Sequence, residues 1–161
     1  MNRALRLGAA LVVQAALVVV AVQAPLSARL SGEEVLLRVE PVDPMDPFRG
    51  AYVDLGYPDL PGPADEVDRP DADARGPVYV PLTRQGEVWV GAAATRTRPA
   101  AAPYLTCDDS GWRLSCGIES LFLPQDRATA VEEAVREGSL VARVRVDGRG
   151  HAALLGVQPA G

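Results

Sequence analysis

The chain has 161 residues, 48% of them hydrophobic, and a net charge of −5 from 16 basic and 21 acidic residues. That balance points away from nucleic acid, because a phosphate-binding face needs an excess of bases. Every base is arginine, so lysine Schiff bases, Ser–Lys dyads and P-loop lysines are excluded, and a single histidine, His151, excludes histidine-clustered zinc.

Residues 7–28 carry no charge, and Gln14 and Gln23 are their main polar interruptions. About 20 apolar residues cross the hydrocarbon layer of a bilayer as a helix. A soluble helix would show a polar stripe, and this segment shows none. Arg3 and Arg6 precede it, so the positive-inside rule keeps residues 1–6 in the cytoplasm and exports residues 29–161. A retained single-pass anchor and a cleaved signal peptide share these features. Cleavage after Ala24 would leave Pro25 behind the cut, and cleavage after Ala28 would put Leu26 three residues before it; both fit a signal-peptide site poorly. Either way the remaining domain lies outside the cytoplasm, and about 130 residues suffice for one core.

Within that domain, residues 35–40 read as a strand of β-branched and aliphatic side chains. Pro41, Pro44 and Pro47 then impose a rigid loop. Residues 51–57 alternate Val53, Leu55 and Tyr57 against Tyr52, Asp54 and Gly56, a half-buried strand. Residues 59–77 are acidic and rich in proline and glycine, which predicts a mobile loop. Asp71 and Asp73 begin like a calcium loop, but Arg75 stands at a ligand position, so no metal is expected.

Residues 78–82 and 87–90 form a hairpin about a turn at Thr83–Gly86, and Leu105 with residues 114–123 predicts a second one. Cys107 and Cys116 bracket a turn-forming octapeptide. They agree with export and are either bonded across that loop or two buried thiols. Residues 126–137 read as a helix with Ala128, Val131, Ala134 and Val135 on one face, ended by Gly138. Residues 140–146 and 152–157 close the chain as a hairpin around Asp147–Gly150, which leaves His151 exposed. The sum is a mainly β fold with one short helix, an antiparallel β-sandwich or open barrel after a single transmembrane helix.

The stretch Asp43-Pro44-Met45-Asp46-Pro47-Phe48-Arg49-Gly50-Ala51-Tyr52-Val53-Asp54-Leu55-Gly56-Tyr57 resembles the signature of the GDYXXLXY family, bacterial membrane-anchored proteins of unknown biochemical role. Gly50, Tyr52, Leu55 and Tyr57 match, whereas Ala51 replaces the family's aspartate. Gly117, Glu119, Phe122 and Pro124 resemble its second recognisable stretch. The resemblance implies fold and location and brings no activity with it. It also implies that such chains accompany larger membrane proteins.

On the residues themselves, Asp43, Asp46, Gly50, Leu55, Tyr57, Gly117, Glu119, Phe122 and Pro124 read as structural, with Arg49 free to pair with Asp43, Asp46 or Glu119. Phe48, Arg49 and Tyr52 are the candidate contact surface. The function expected is a non-enzymatic, cofactor-free interaction module for another membrane or envelope protein. Alternatives are an envelope hydrolase using Asp43, Asp46, Asp54 and Glu119, and a small-ligand binder with a pocket at a barrel mouth.

Overall fold

The computed structural model describes residues 3–42, 52–62 and 75–160. The chain opens with helix α1, Arg3–Ser31, which is long and apolar enough to cross a membrane. Leu11, Val18 and Leu26 are among its exposed side chains, and its apolar surface runs all round. The domain that follows is mainly β and entirely antiparallel: strands β1 (Glu33–Arg38), β2 (Glu40–Pro41), β3 (Tyr52–Gly56), β4 (Pro77–Gln85), β5 (Val88–Gly91), β6 (Tyr104–Asp108), β7 (Ser120–Phe122), helix α2 (Gln125–Arg136), and strands β8 (Leu140–Val146) and β9 (Ala152–Pro159). Among the described residues they make three three-stranded sheets, ordered β1-β8-β9, β2-β3-β7 and β5-β4-β6, and no closed barrel.

The two-residue period of the strands builds the core. Val35 and Leu37 of β1, Val53 and Leu55 of β3, Val78, Val80 and Leu82 of β4, and Ala142, Val144 and Val146 of β8 all point inward and are buried together. Burying one such aliphatic side chain contributes about 1.5–3 kcal/mol. Helix α2 packs on β2 and β3, with Val135 buried and Val131 against the core.

Three local features differ from the sequence reading. β4 runs through Thr83, Arg84 and Gln85, so the hairpin turn is Gly86–Glu87 and Gln85 pairs with Val88. The alternating pattern had already become polar there because these residues are exposed, which imitates a turn. Leu105 does not start a hairpin with residues 114–119, since β6 pairs with β4 and meets the later segment at the Asp108–Ser115 bridge and the adjoining Cys107–Cys116 bond. Asp59 and Leu60 were read as the start of a mobile loop. Leu60 packs on the core, Asp59 bonds Arg38, and the Asp59 carbonyl accepts the Gly91 N–H at 2.8 Å.

The end of α1 is docked on the domain. Ala28 is fully buried, Arg145 Nη1 donates to the Arg29 carbonyl at 2.6 Å, and the Gly32 N–H donates to the Ala28 carbonyl at 2.9 Å. Gly32 makes the passage from helix to β1 so close that a Cβ there would lie 2.4 Å from the Ala28 carbonyl oxygen and 2.9 Å from the Val146 nitrogen. Both are backbone atoms, so a side chain at this position has no room.

Candidate functional site

Strand β3 carries the motif residues into the fold. Leu55 is 2% exposed, its N–H donates to the Glu119 carbonyl at 2.8 Å, and Tyr57 just beyond the strand donates its hydroxyl to the Ile118 carbonyl at 2.7 Å. Burial pushes the Tyr57 phenol well above its ordinary pKa, and the Glu119 carboxylate nearby adds to the rise. Glu119 in turn accepts the backbone N–H of Cys116 and, at 3.0 Å, that of Gly117. The described part of the first stretch, 52–57, therefore meets the second, 117–124, along one line: strand β3 is hydrogen-bonded to residues 119–122, with Tyr52 opposite Phe122.

A family model described as GDYXXLXY protein matches residues 14–157, nearly the whole chain. The chain belongs to the GDYXXLXY family. No curated protein and no solved structure matches it.

In this GDYXXLXY protein the contact between the two stretches consists of a buried leucine, a tyrosine hydroxyl on a carbonyl and a carboxylate on two backbone N–H groups. Asp43, Asp46, Phe48, Arg49, Gly50 and Ala51 lie outside the described residues, as do Asp71 and Asp73 of the acidic loop. Tyr52 is described only in its backbone. Phe122 is 79% exposed, and Pro124 is the residue that precedes α2. Asp54 faces Ser120, whose hydroxyl donates to it at 3.3 Å. Cys107 and Cys116 form a disulfide, because the loop spans residues 109–114 and brings Asp108 opposite Ser115 and Cys107 beside Cys116.

Next to the Tyr57 contact lies a cleft of about 300 Å3, lined by Glu40, Leu55, Tyr57, Trp112, Leu114 and Glu119 among others. Trp112 stands at it 78% exposed, with the Arg113 guanidinium 4.5 Å from its ring centroid. Two carboxylates, Glu40 and Glu119, share the cleft, but both oxygens of Glu119 are already held by backbone N–H groups.

Two polar clusters have no counterpart in the sequence reading. At the β8–β9 turn, Asp147 is buried and accepts from the Ser27 hydroxyl at 2.7 Å, the Arg149 N–H at 2.8 Å and the His151 N–H at 3.0 Å, with His151 Nδ1 at 3.0 Å. His151 is thus half-buried against a carboxylate, not exposed as the hairpin position predicted, because the turn folds its ring back onto Asp147. A serine, a histidine and an aspartate meet here in the wrong order for nucleophilic catalysis, in which imidazole stands between hydroxyl and carboxylate. With the carboxylate in the middle, the Ser27 proton points at a weakly basic carboxylate and not at an imidazole.

The second cluster is Asp109, 0% exposed, which takes Arg96 Nη2 at 2.6 Å and the Gly76 N–H at 2.7 Å. Arg96 Nη1 reaches the Pro77 carbonyl at 3.0 Å. An aspartate that starts a tight turn is a recognised acceptor of N–H groups two residues on, so half of the Asp147 cluster had a sequence signal. Ser27 and Arg96 had none.

Proposed function

We propose that this chain is a membrane-anchored, extracytoplasmic accessory module, a non-enzymatic domain held against the bilayer to contact another membrane or envelope protein. The observation that carries the reading is the docked end of α1. A domain on a flexible tether would sample the space above the membrane. Here Ser27, Ala28 and the Arg29 carbonyl are fastened to β8 and the β8–β9 turn, so one side of the domain always faces the bilayer and the others face sideways or outward. Arg3 and Arg6 before the apolar run set the orientation. The docked residues lie on both sides of the Ala28–Arg29 cleavage position, which supports a retained anchor.

The contact surface we assign is the cleft edge at Trp112 and Arg113. Tryptophan and arginine are both enriched among the residues that anchor protein interfaces. The role of Glu119 as a clip for two backbone N–H groups supports a structural part for that carboxylate over a hydrolytic one. The test places a photo-crosslinking residue at position 112 in the full-length chain in native membranes. A discrete adduct with another membrane or envelope protein, lost when the crosslinker is moved to exposed Gly148, is the expected result. Equal, diffuse labelling from both positions overturns the reading, as does a reporter fused after Gly161 that is active only in the cytoplasm.

A further inference from the structure

The docked helix also sets the depth of the β8–β9 turn. At 1.5 Å per residue the uncharged run 7–28 is about 33 Å long, against a hydrocarbon layer of about 30 Å. Ser27 therefore sits at the boundary between acyl chains and headgroups, and the turn it bonds, Asp147–Gly150, lies at headgroup level.

That turn is surrounded by arginines. Arg149 is part of it and exposed. Arg98 Nη2 donates to the Gly148 carbonyl at 3.3 Å, with its Nε on the Tyr104 hydroxyl at 2.5 Å. Arg29 is exposed in the last turn of α1, and Arg145 holds the Arg29 carbonyl. The acids nearby are fewer: Asp147 is buried under three donating residues, Glu34 is paired with Arg143 at 3.1 Å, and Glu33 is exposed. A chain of net charge −5 thus presents four arginines where it meets the membrane. The turn is held in place from behind: Thr106 donates its N–H to the Gly150 carbonyl at 2.8 Å and its hydroxyl to the Arg149 carbonyl at 3.0 Å.

We infer that this pole, centred on Arg29, Arg98 and Arg149, is a binding surface for the phosphates of anionic phospholipid headgroups. Guanidinium groups match phosphate oxygens with paired N–H donors, and each base at a membrane surface strengthens attraction to anionic lipid about fivefold. The inference rests on the reading that α1 stays in the membrane.

The experiment uses the full-length chain. Alkaline extraction of membranes first shows whether the chain is embedded; a soluble product beginning near Pro25 or Arg29 overturns the anchor and the headgroup site together. The embedded chain is then purified in nonionic detergent, and its binding of phosphatidylglycerol against equimolar phosphatidylcholine is read by native mass spectrometry. Phosphatidylglycerol is expected to be favoured about tenfold or more. Arg29→Gln with Arg149→Gln should bring the two lipids close to parity, while Arg84→Gln with Arg136→Gln, the same change of charge elsewhere, should keep the preference. Equal binding by the unaltered chain, or a preference that survives loss of Arg29 and Arg149, overturns the headgroup site alone. Displacement of the lipid by millimolar inorganic phosphate would also overturn it, since the site would then take free phosphate.

Discussion

Ser27 and Asp147 are 120 residues apart in sequence and 2.7 Å apart in space, and their hydrogen bond ties the N-terminal helix to the last hairpin of the domain. The carboxylate also collects the Arg149 and His151 N–H groups, so these contacts are strongest while Asp147 is charged.

The pH dependence of that junction follows from its acceptors. Burial alone would raise the Asp147 carboxyl, but the Ser27 hydroxyl, the two backbone N–H groups and the His151 ring together hold it below its ordinary value. A depressed carboxyl contributes stability that is fully present above its unfolded value near 4 and is lost as pH falls through the folded one. Denaturant unfolding of the full chain in detergent should show stability falling below about pH 4. In Asp147→Asn that fall should be shallower. It does not vanish, because the Glu34 and Asp108 carboxyls are also depressed, the first by Arg143 and the second by Ser110. An unchanged acid limb in Asp147→Asn counts against the role assigned to the turn.

Tyr57 should remain un-ionised well past pH 10 while the domain is folded. Its raised pKa means that its contribution to stability is present below the unfolded value near 10 and declines as pH rises through the folded one. Ultraviolet titration of the native chain should show that Tyr57→Phe removes a phenol that stays un-ionised at pH 11. The same variant strands the Ile118 carbonyl and should cost about 1–2 kcal/mol. Leu55→Ala, which empties a site 2% exposed, should cost about 2–5 kcal/mol.

Removing Arg96 should be among the most damaging changes on the surface of the domain. Arg96→Ala takes a guanidinium away from a carboxylate with no exposure, and breaking such a pair from one side costs about 3–5 kcal/mol. Unfolding midpoints of Arg96→Ala and Arg84→Ala separate the cases: among the described residues Arg84 is exposed and donates to the neighbouring Gly86 carbonyl, so its loss should stay within about 0.5 kcal/mol.

Reducing the Cys107–Cys116 bond should lower stability by about 2–3 kcal/mol through the entropy of the reopened loop. Asp109 lies inside that loop, so reduction and Arg96→Ala should be non-additive when measured together, since both loosen the same contact with Gly76.

Much of this protein was legible in the order of its residues. A run of 22 uncharged residues after two arginines can only be a long apolar helix, because no local polar pattern competes with it. Alternation at Val53 and Leu55, at Val78, Val80 and Leu82, and at Val144 and Val146 named the inward faces of the strands, since the pleat turns a two-residue period into a buried row. The 50–57 and 117–124 stretches, being local, were sufficient to mark the family.

The polar contacts that hold the parts together were decided only by tertiary structure. Whether Cys107 meets Cys116 depended on which residues of the loop turn, and that Glu119 clips the Cys116 and Gly117 N–H groups was not announced by its place in the sequence. Ser27 reads as one more small residue of an apolar helix, and nothing near it in sequence announces Asp147. Arg96 and Asp109 sit among exposed, polar neighbours that look like any loop. Hydrophobic periodicity is a local signal that the chain carries along its length. A hydrogen bond between residues 27 and 147 exists only once the sheets have set the two ends of the domain side by side, so physical proximity, not residue type, makes the site.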